Sequence, residues 1–255
     1  MTREAHRYDH LTSPEAEQAQ CDGALLILPV GALEQHGDGL PLGTDSIRAD
    51  HVAHRVAGEL AGRCFVLPTV PYGVSPHHRT LPGTVSLPPT LFAELIAQIA
   101  GELAGSGWRR LLVVTGHGGN AAALGVAQQL LLSSHAELAF AWSPVTALAT
   151  EANGQLPRAE VTGHSGESET AQVLAIDETL VRRDHLRPGA TSLAELSPRA
   201  LLSRTAKPSI AVTFDQYAPN GVLGDPTTAT SEDGEAILDE VVAAVTAYAR
   251  RMLAL

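Results

Sequence analysis

Residues 24–45 read Ala24-Leu25-Leu26-Ile27-Leu28-Pro29-Val30-Gly31-Ala32-Leu33-Glu34-Gln35-His36-Gly37-Asp38-Gly39-Leu40-Pro41-Leu42-Gly43-Thr44-Asp45. The part up to Val30 is a continuous apolar run, which is typical of a strand buried on both faces. A loop rich in glycine and proline follows and carries Glu34, His36 and Asp45. Loops that follow the strands of an α/β sheet are where such folds bind ligands. Carboxylate oxygens and imidazole nitrogens suit Zn, Mn or Fe, so the segment predicts a metal site at the end of a strand.

The rest of the chain alternates strand patterns with helix patterns. Strands are predicted at residues 24–30, 64–70, 111–114 and 137–142, with a late strand at 210–214. Helices are predicted at residues 13–20, 46–61, 91–103, 121–132, 169–176 and 232–253, and loops at 71–88 and 150–162. Such alternation implies a mostly parallel central sheet flanked by helices on both faces. The sequence therefore predicts a single α/β domain over residues 1–255.

Composition and charge exclude several classes of partner. The apolar content of 44% is ordinary for a globular protein, and the apolar runs are too short to span a membrane. The net charge of −11 argues against nucleic acid or an anionic membrane as partner. The N-terminal residues are polar and charged, unlike a signal peptide, and Cys21 and Cys64 are expected to be free thiols. These features predict a cytoplasmic protein.

Two further junctions carry metal-binding side chains. An apolar run at residues 111–114 leads into Thr115-Gly116-His117-Gly118-Gly119-Asn120. Later, His164-Ser165-Gly166-Glu167-Ser168-Glu169-Thr170 opens a segment with helical spacing. Three strand-to-loop or loop-to-helix junctions therefore each combine histidine with carboxylate or glycine. Together they favour a metal site more strongly than any one of them alone.

These stretches resemble the creatininase family of metal-dependent amide hydrolases. The matching segments are residues 31–45, 73–78 with 81–87, 116–120 and 164–170, in the family's order. The resemblance covers roughly residues 24–177. It implies a creatininase-like fold, two divalent metal ions (Zn, Mn or both, with Fe a further option) and a small-molecule amide substrate. It also implies a homo-oligomer, often a hexamer.

The candidate metal ligands are the carboxylates and imidazoles of the three junctions, namely Glu34, His36, Asp45, His117 and Glu169. By resemblance, Asp45 bridges the two ions and His164 is the catalytic histidine, which would act as general acid. Glu167 is the substitute for Glu169 and a second candidate catalytic residue. Two such ions would acidify a water between them and polarise an amide carbonyl.

The candidate substrate-binding residues are His78, Gly118, Gly119 and Trp142. The glycine turn at 118–119 could direct backbone N–H groups at a developing oxyanion. Core packing is an equal alternative for Trp142, and His77 is expected on the loop surface.

The chain departs from the family pattern at three places. Asp38-Gly39 stands where the family commonly has Pro-His, and Thr115 where it commonly has Asn. Gly118 and Gly119 stand where enzymes acting on creatinine tend to carry a Glu. These differences argue against creatinine itself and move the last ligand role to Glu169. The leading hypothesis is hydrolysis of a non-peptide, cyclic or small C–N amide bond. The alternatives are a peptidase that trims a short peptide during maturation of a mycofactocin-type redox cofactor, and a non-catalytic protein with a vestigial site.

Overall fold

The computed structural model describes residues 6–60, 62–145, 147–157 and 159–255. Its strands are β1 (Leu25–Val30), β2 (Cys64–Val66), β3 (Arg110–Thr115) and β4 (Ala139–Pro144). Its α-helices are α1 (Ser13–Cys21), α2 (Thr44–Glu59), α3 (Pro89–Gly105), α4 (Ala121–Ser134), α5 (Thr150–Gln155), α6 (Glu167–Asp177), α7 (Pro198–Thr205) and α8 (Ser231–Met252).

The strands form one parallel sheet in the order β2-β1-β3-β4. The central strand β1 is buried along its whole length. Successive side chains of a strand point to opposite faces. Accordingly, Leu25 and Ile27 belong to an apolar cluster with α2, α6 and α8, whereas Leu26 and Leu28 belong to a second cluster with α3 and α4. The predicted parallel sheet with helices on both faces is confirmed.

The order of the strands places a crevice between β1 and β3. Strands β1 and β3 are hydrogen-bonded neighbours, but β1 leads into α2 on one face and β3 leads toward α4 on the other. In such sheets ligands bind outside the carboxyl ends of the strands at this point of divergence. The loops that carry the candidate ligands start here.

Two predicted strands differ from the structure. Strand β2 ends at Val66 rather than at residue 70, because Pro68 has no N–H to continue the ladder. Beyond it, only an isolated bridge joins Val70 to Val30. The late strand predicted at 210–214 is wrong, since the described chain there is irregular and leads into a short 3-10 helix, Phe214–Gln216.

Two short helices lie where the sequence predicted none. Helix α5 falls inside the segment 150–162, which was expected to be a loop. Helix α7 begins after Ser197, whose side-chain oxygen accepts a hydrogen bond from Ala200 N at 3.2 Å, and has Pro198 in its first turn. Capping serine followed by proline is a helix-start signal that the sequence does contain.

A third apolar cluster lies apart from the sheet and is formed by Val161, Ala190, Leu196, Ala200, Ala218 and Leu223. We call residues 159–165 and 190–224 the C-terminal wall. Leu223 N donates to the carbonyl of His164 at 2.9 Å, so the wall fixes the backbone of His164. Among the described helices, none has the length and apolar character needed to cross a membrane.

Candidate metal centre

The five predicted ligands converge from four parts of the chain. Glu34 and His36 follow β1, Asp45 lies in the first turn of α2, His117 follows β3, and Glu169 lies in the first turn of α6. Asp45 thus belongs to a helix rather than to the loop in which the sequence placed it. All five side chains are buried.

The ligand atoms form two groups that meet at Asp45. In the first group, His117 Nδ1 lies 3.2 Å from Glu34 Oε1 and 3.2 Å from Asp45 Oδ2. In the second group, His36 Nε2 lies 3.6 Å from Asp45 Oδ1 and 3.6 Å from Glu169 Oε2. Each oxygen of Asp45 therefore faces a different histidine, which is the arrangement a bridging carboxylate needs.

These spacings fit ligands that share a metal ion. Tetrahedral ligands about 2.1 Å from Zn are about 3.4 Å from one another. Within the described chain, both oxygens of Glu34, Nε2 of His36 and Oδ2 of Asp45 have no hydrogen-bond partner. Buried polar atoms without partners are costly, and a cation placed among them would remove that cost. The donor set therefore fits divalent metal.

Arg48 and Ser165 hold Glu169 in place. Arg48 Nη1 donates to Glu169 Oε1 at 2.6 Å, and Arg48 Nε donates to Gln172 Oε1 at 3.0 Å. Ser165 N donates to Glu169 Oε2 at 2.7 Å, and its hydroxyl donates to the His36 carbonyl at 2.6 Å. Ser165 adopts a φ of 53°, a left-handed conformation that is rare outside glycine. The sequence did not identify either residue as part of the site.

His164 faces the same cluster through Nδ1. Its Nε2 lies 2.8 Å from the backbone carbonyl oxygen of Gln35 and 3.1 Å from the side-chain Nε2 of the same residue, and a hydrogen bond to the carbonyl requires the proton on His164 Nε2. Nδ1 then faces Glu34 Oε1 at 3.7 Å and Glu169 Oε2 at 3.8 Å. A proton received at Nδ1 is therefore held next to the ligand carboxylates.

Charges within the cluster shift the histidine pKa values in opposite directions. Burial lowers the pKa of His36, but the carboxylates of Asp45, Glu169 and Glu34 outweigh burial and raise it to about 9. Burial, with repulsion from His36, lowers the pKa of His164 well below its usual value. The ring of His164 is therefore neutral at neutral pH and must take a proton before it can donate one.

The cluster opens into a cavity of about 460 Å³. The predicted substrate residues His78, Gly118 and Gly119 line it, together with Phe214, Leu223, Arg204 and Gly163. His77 also lines it, half-buried, and its ring stacks on that of His117 with centroids 5.6 Å apart. The expectation that His77 lies on the loop surface was wrong. Phe214, whose ring centroid is 4.0 Å from that of His78, was missed because it was assigned to a strand.

The backbone leaves no room for a side chain at one of the two glycines after His117. A Cβ at Gly119 would collide with the His117 ring and the Val74 carbonyl, whereas a Cβ at Gly118 would meet no atom within 4 Å. His117 Nε2 lies 3.0 Å from that carbonyl, which fixes the ring with Nδ1 toward the cluster. Glu169 supplies the carboxylate instead, from the first turn of α6.

Two predicted site residues, Glu167 and Trp142, make their described contacts outside the metal-ligand cluster. Glu167 accepts hydrogen bonds from Thr162 Oγ1 at 2.8 Å and from Asp225 N at 2.9 Å, so its contacts join α6 to the C-terminal wall at Thr162 and to Asp225 just after the wall. Trp142 packs against the apolar cluster of α3 and α4 and is not among the described residues that line the cavity. A catalytic role for Glu167 and a substrate role for Trp142 stay predictions.

A parallel α/β sheet thus carries a buried carboxylate–histidine cluster at the divergence of β1 and β3, and this donor set defines a metal-binding protein. The family profile "Creatininase: Creatinine amidohydrolase" matches residues 9–249. The chain therefore belongs to the creatininase family, and it is a hydrolase that acts on C–N bonds.

Three individual proteins illustrate the relationship. The chain is 38% identical, over 86% of its length and 81% of the relative's, to the mycofactocin precursor peptide peptidase of Mycolicibacterium smegmatis. A solved mutant creatininase of the Zn–Zn type matches with a TM-score of 0.81 and 27% identity, over 96% of each chain. A creatininase in its Mn form matches with a TM-score of 0.80 and 26% identity, over 96% of this chain and 98% of that one.

Proposed function

We propose that this protein is a metal-dependent hydrolase that cleaves a C–N bond within a short peptide. The observation that carries the proposal is that two further cavities share lining residues with the cavity over the metal-ligand cluster. Similarity to a peptidase over 81% of that relative's length supports the same substrate class. This favours the peptide alternative over the small cyclic amide that the sequence suggested first.

The adjoining cavities share residues with the central one. A cavity of about 440 Å³ shares Gly163 and Glu169 with it and reaches α5. A cavity of about 400 Å³ shares His77 and extends along residues 211–216. A peptide has residues on both sides of the bond that is cut, and these cavities offer room for them, whereas a single small ring would use the central cavity alone.

We further propose two divalent ions, Zn or Mn, held by Glu34, His36, Asp45, His117 and Glu169. The two groups of ligand atoms and the Zn–Zn and Mn forms of solved relatives support this number and this choice. When bound, the ions would supply Lewis acidity toward the carbonyl and lower the pKa of a water.

The chain's own residues would then transfer the proton and position the substrate. Nδ1 of His164 would take up a proton next to the cluster and deliver it to the departing nitrogen, since Nδ1 is the ring nitrogen that faces the cluster. The N–H groups of Gly118 and Gly119 border the same cavity and would orient the substrate carbonyl. Phe214 and Leu223 would pack against side chains flanking the bond.

The test is hydrolysis of a defined panel by protein loaded with Zn or Mn, followed by mass spectrometry. The panel contains short peptides of varied sequence, creatinine and other cyclic amides, each with an EDTA-treated control. We expect peptide cleavage that disappears with EDTA and returns with metal. Turnover of cyclic amides alone would contradict the peptide assignment and restore the first hypothesis. No turnover of any substrate with two ions bound would favour a vestigial site.

We also propose that the protein forms a homo-oligomer, as in the hexamer that the family resemblance implies. Residues 71–88 fold partly onto their own subunit, with Val85 N donating to Leu33 O at 2.8 Å. The side chains of Tyr72 and Val85 nevertheless remain exposed, at 45% and 49%, and a neighbouring subunit would cover them. Light scattering coupled to gel filtration tests this, and a mass near 26.7 kDa with full activity would contradict it.

Free Cys21 and Cys64 support the proposed cytoplasmic location.

A further inference from the structure

Helix α7 brings two arginines to the mouth of the site. Arg204 lines the central cavity, and Arg199 lines the adjoining cavity that shares His77. The helix is anchored in the C-terminal wall by Ala200, which is fully buried. Arg204 Nη2 also donates to the Thr162 carbonyl at 3.1 Å, which directs its guanidinium along the cavity edge. Both arginines therefore stand on a fixed element beside the metal-ligand cluster.

Neither arginine has a carboxylate partner among the described residues. Arg204 donates to the Thr162 carbonyl, a neutral acceptor. This is unusual in a chain with 28 acidic and 17 basic residues, where acidic side chains outnumber the arginines and lysines that could pair with them. Arg55, for comparison, lies 2.6 Å from Asp239 on the surface. The guanidinium groups at the site therefore remain available to an anion that arrives with the substrate.

The charge of the cluster strengthens this attraction. Two divalent ions would bring four positive charges, which the three carboxylates of Glu34, Asp45 and Glu169 and one hydroxide formed from the acidified water would balance. Arg48, buried beneath Glu169, then leaves the loaded centre with one net positive charge. A positive potential confined to a cleft of an acidic protein concentrates anionic ligands there.

We propose that Arg204, supported by Arg199, binds a carboxylate of the substrate and so selects peptides that carry one near the cut bond. The inference rests on the proposed peptide hydrolase function and names a recognition group for it. A guanidinium offers a planar pair of donors that matches a carboxylate, which explains why arginine rather than a hydroxyl would serve here. The carboxylate is either the peptide's C-terminus or an aspartate or glutamate side chain.

Calorimetric binding to Zn-loaded protein tests the inference without requiring turnover. The probes are N-acetyl dipeptides with a free C-terminal acid, the same dipeptides as C-terminal amides, and amidated dipeptides with aspartate or asparagine. If the C-terminus is recognised, the acid should bind roughly 10- to 150-fold tighter than its amide, as expected for a hydrogen bond to a charged group. If a side-chain carboxylate is recognised, the amidated dipeptide with aspartate should instead bind more tightly than the one with asparagine.

In the variant Arg204→Gln, the affinity ratio between the preferred probe and its amide counterpart should fall to near 1, while two ions stay bound. Arg199→Gln should reduce it less, because Arg199 lines the adjoining cavity. Arg251→Gln is the matched control. It lies at the end of α8, where Arg110 at the start of β3 donates to the Met252 carbonyl, and is therefore at the opposite edge of the sheet. This control should bind as the wild type does.

A wild-type protein that prefers neither the C-terminal acid over its amide nor aspartate over asparagine would overturn the inference, and so would an Arg204→Gln variant that keeps the wild-type preference. For peptides that are cleaved, Arg204→Gln should raise KM with little change in kcat, because the carboxylate contact is made equally in the ground and transition states. If the wild type cleaves no peptide, the proposed function fails, while the binding ratios still decide the role of Arg204.

Discussion

Replacing Asp45 with asparagine should remove both metal ions from the protein. The two oxygens of Asp45 face different groups: Oδ2 lies 3.2 Å from His117 Nδ1, and Oδ1 lies 3.6 Å from His36 Nε2. Asparagine has the same shape but one oxygen and no charge, so it can serve at most one of the two groups. A second ion without the bridge would also meet unscreened repulsion from the first.

The size of the expected loss in metal affinity follows from the burial of the Asp45 carboxylate. The Asp45 carboxylate is 2% exposed, so solvent cannot replace the lost charge. Removing one partner of a buried charged pair costs about 3–5 kcal/mol. At about 1.4 kcal/mol per factor of ten, each ion should bind roughly 10²- to 4 × 10³-fold more weakly. Hydrolysis should fall with metal content.

The assay is elemental analysis after equilibration at buffered free zinc, with a competition titration against a chromophoric chelator. Asp50→Asn is the matched control, since Asp50 lies on the same helix α2 and its carboxylate accepts from Thr69 Oγ1 at 2.9 Å, at the surface side of the helix. Circular dichroism would verify that both variants are folded. An Asp45→Asn protein that retains two tightly bound ions would refute the bridging role.

Three further outcomes are expected. Exchanging His164 for alanine should leave both ions bound while the rate falls by roughly 10²- to 10⁴-fold, and a loss of metal would instead make His164 a ligand. The carboxylates around His36 outweigh burial and raise its pKa to about 9, so a metal ion must displace a proton from this residue. Zinc affinity should therefore fall by roughly tenfold per pH unit below about 9. A zinc affinity that does not change between pH 6 and 9 would contradict this. Glu167→Gln should lower the melting temperature, because it weakens the bonds from Thr162 Oγ1 and Asp225 N, and should keep both ions; unchanged stability with abolished turnover would support a catalytic role.

The layers of the fold could be predicted because their signals are local. The apolar run of β1 and the helical spacing of α2 and α8 can be recognised from each segment alone, whatever it packs against. The parallel arrangement followed from their alternation. The predicted end of β2 was too late because apolar residues continue past Val66, although Pro68 interrupts the ladder.

The supporting parts of the site could not be predicted in the same way. Arg48 reaches Glu169 across 121 positions of sequence, and no local pattern marks such a pair. Phe214 and Arg204 belong to the C-terminal wall, whose irregular backbone has little periodicity to interpret. His77 was expected at the surface because it lies in a long loop rich in proline, yet the fold of residues 71–88 brings its ring onto that of His117.

The central claim is that five buried side chains, Glu34, His36, Asp45, His117 and Glu169, hold two divalent metal ions that C–N bond hydrolysis requires. Elemental analysis of protein purified without chelator tests it most directly, with turnover measured on the same sample. We expect close to two ions of Zn or Mn per chain, lost together with activity on EDTA treatment and restored together on adding metal. Fewer than half an ion per chain, with no gain in metal or activity after Zn or Mn is added, would contradict it.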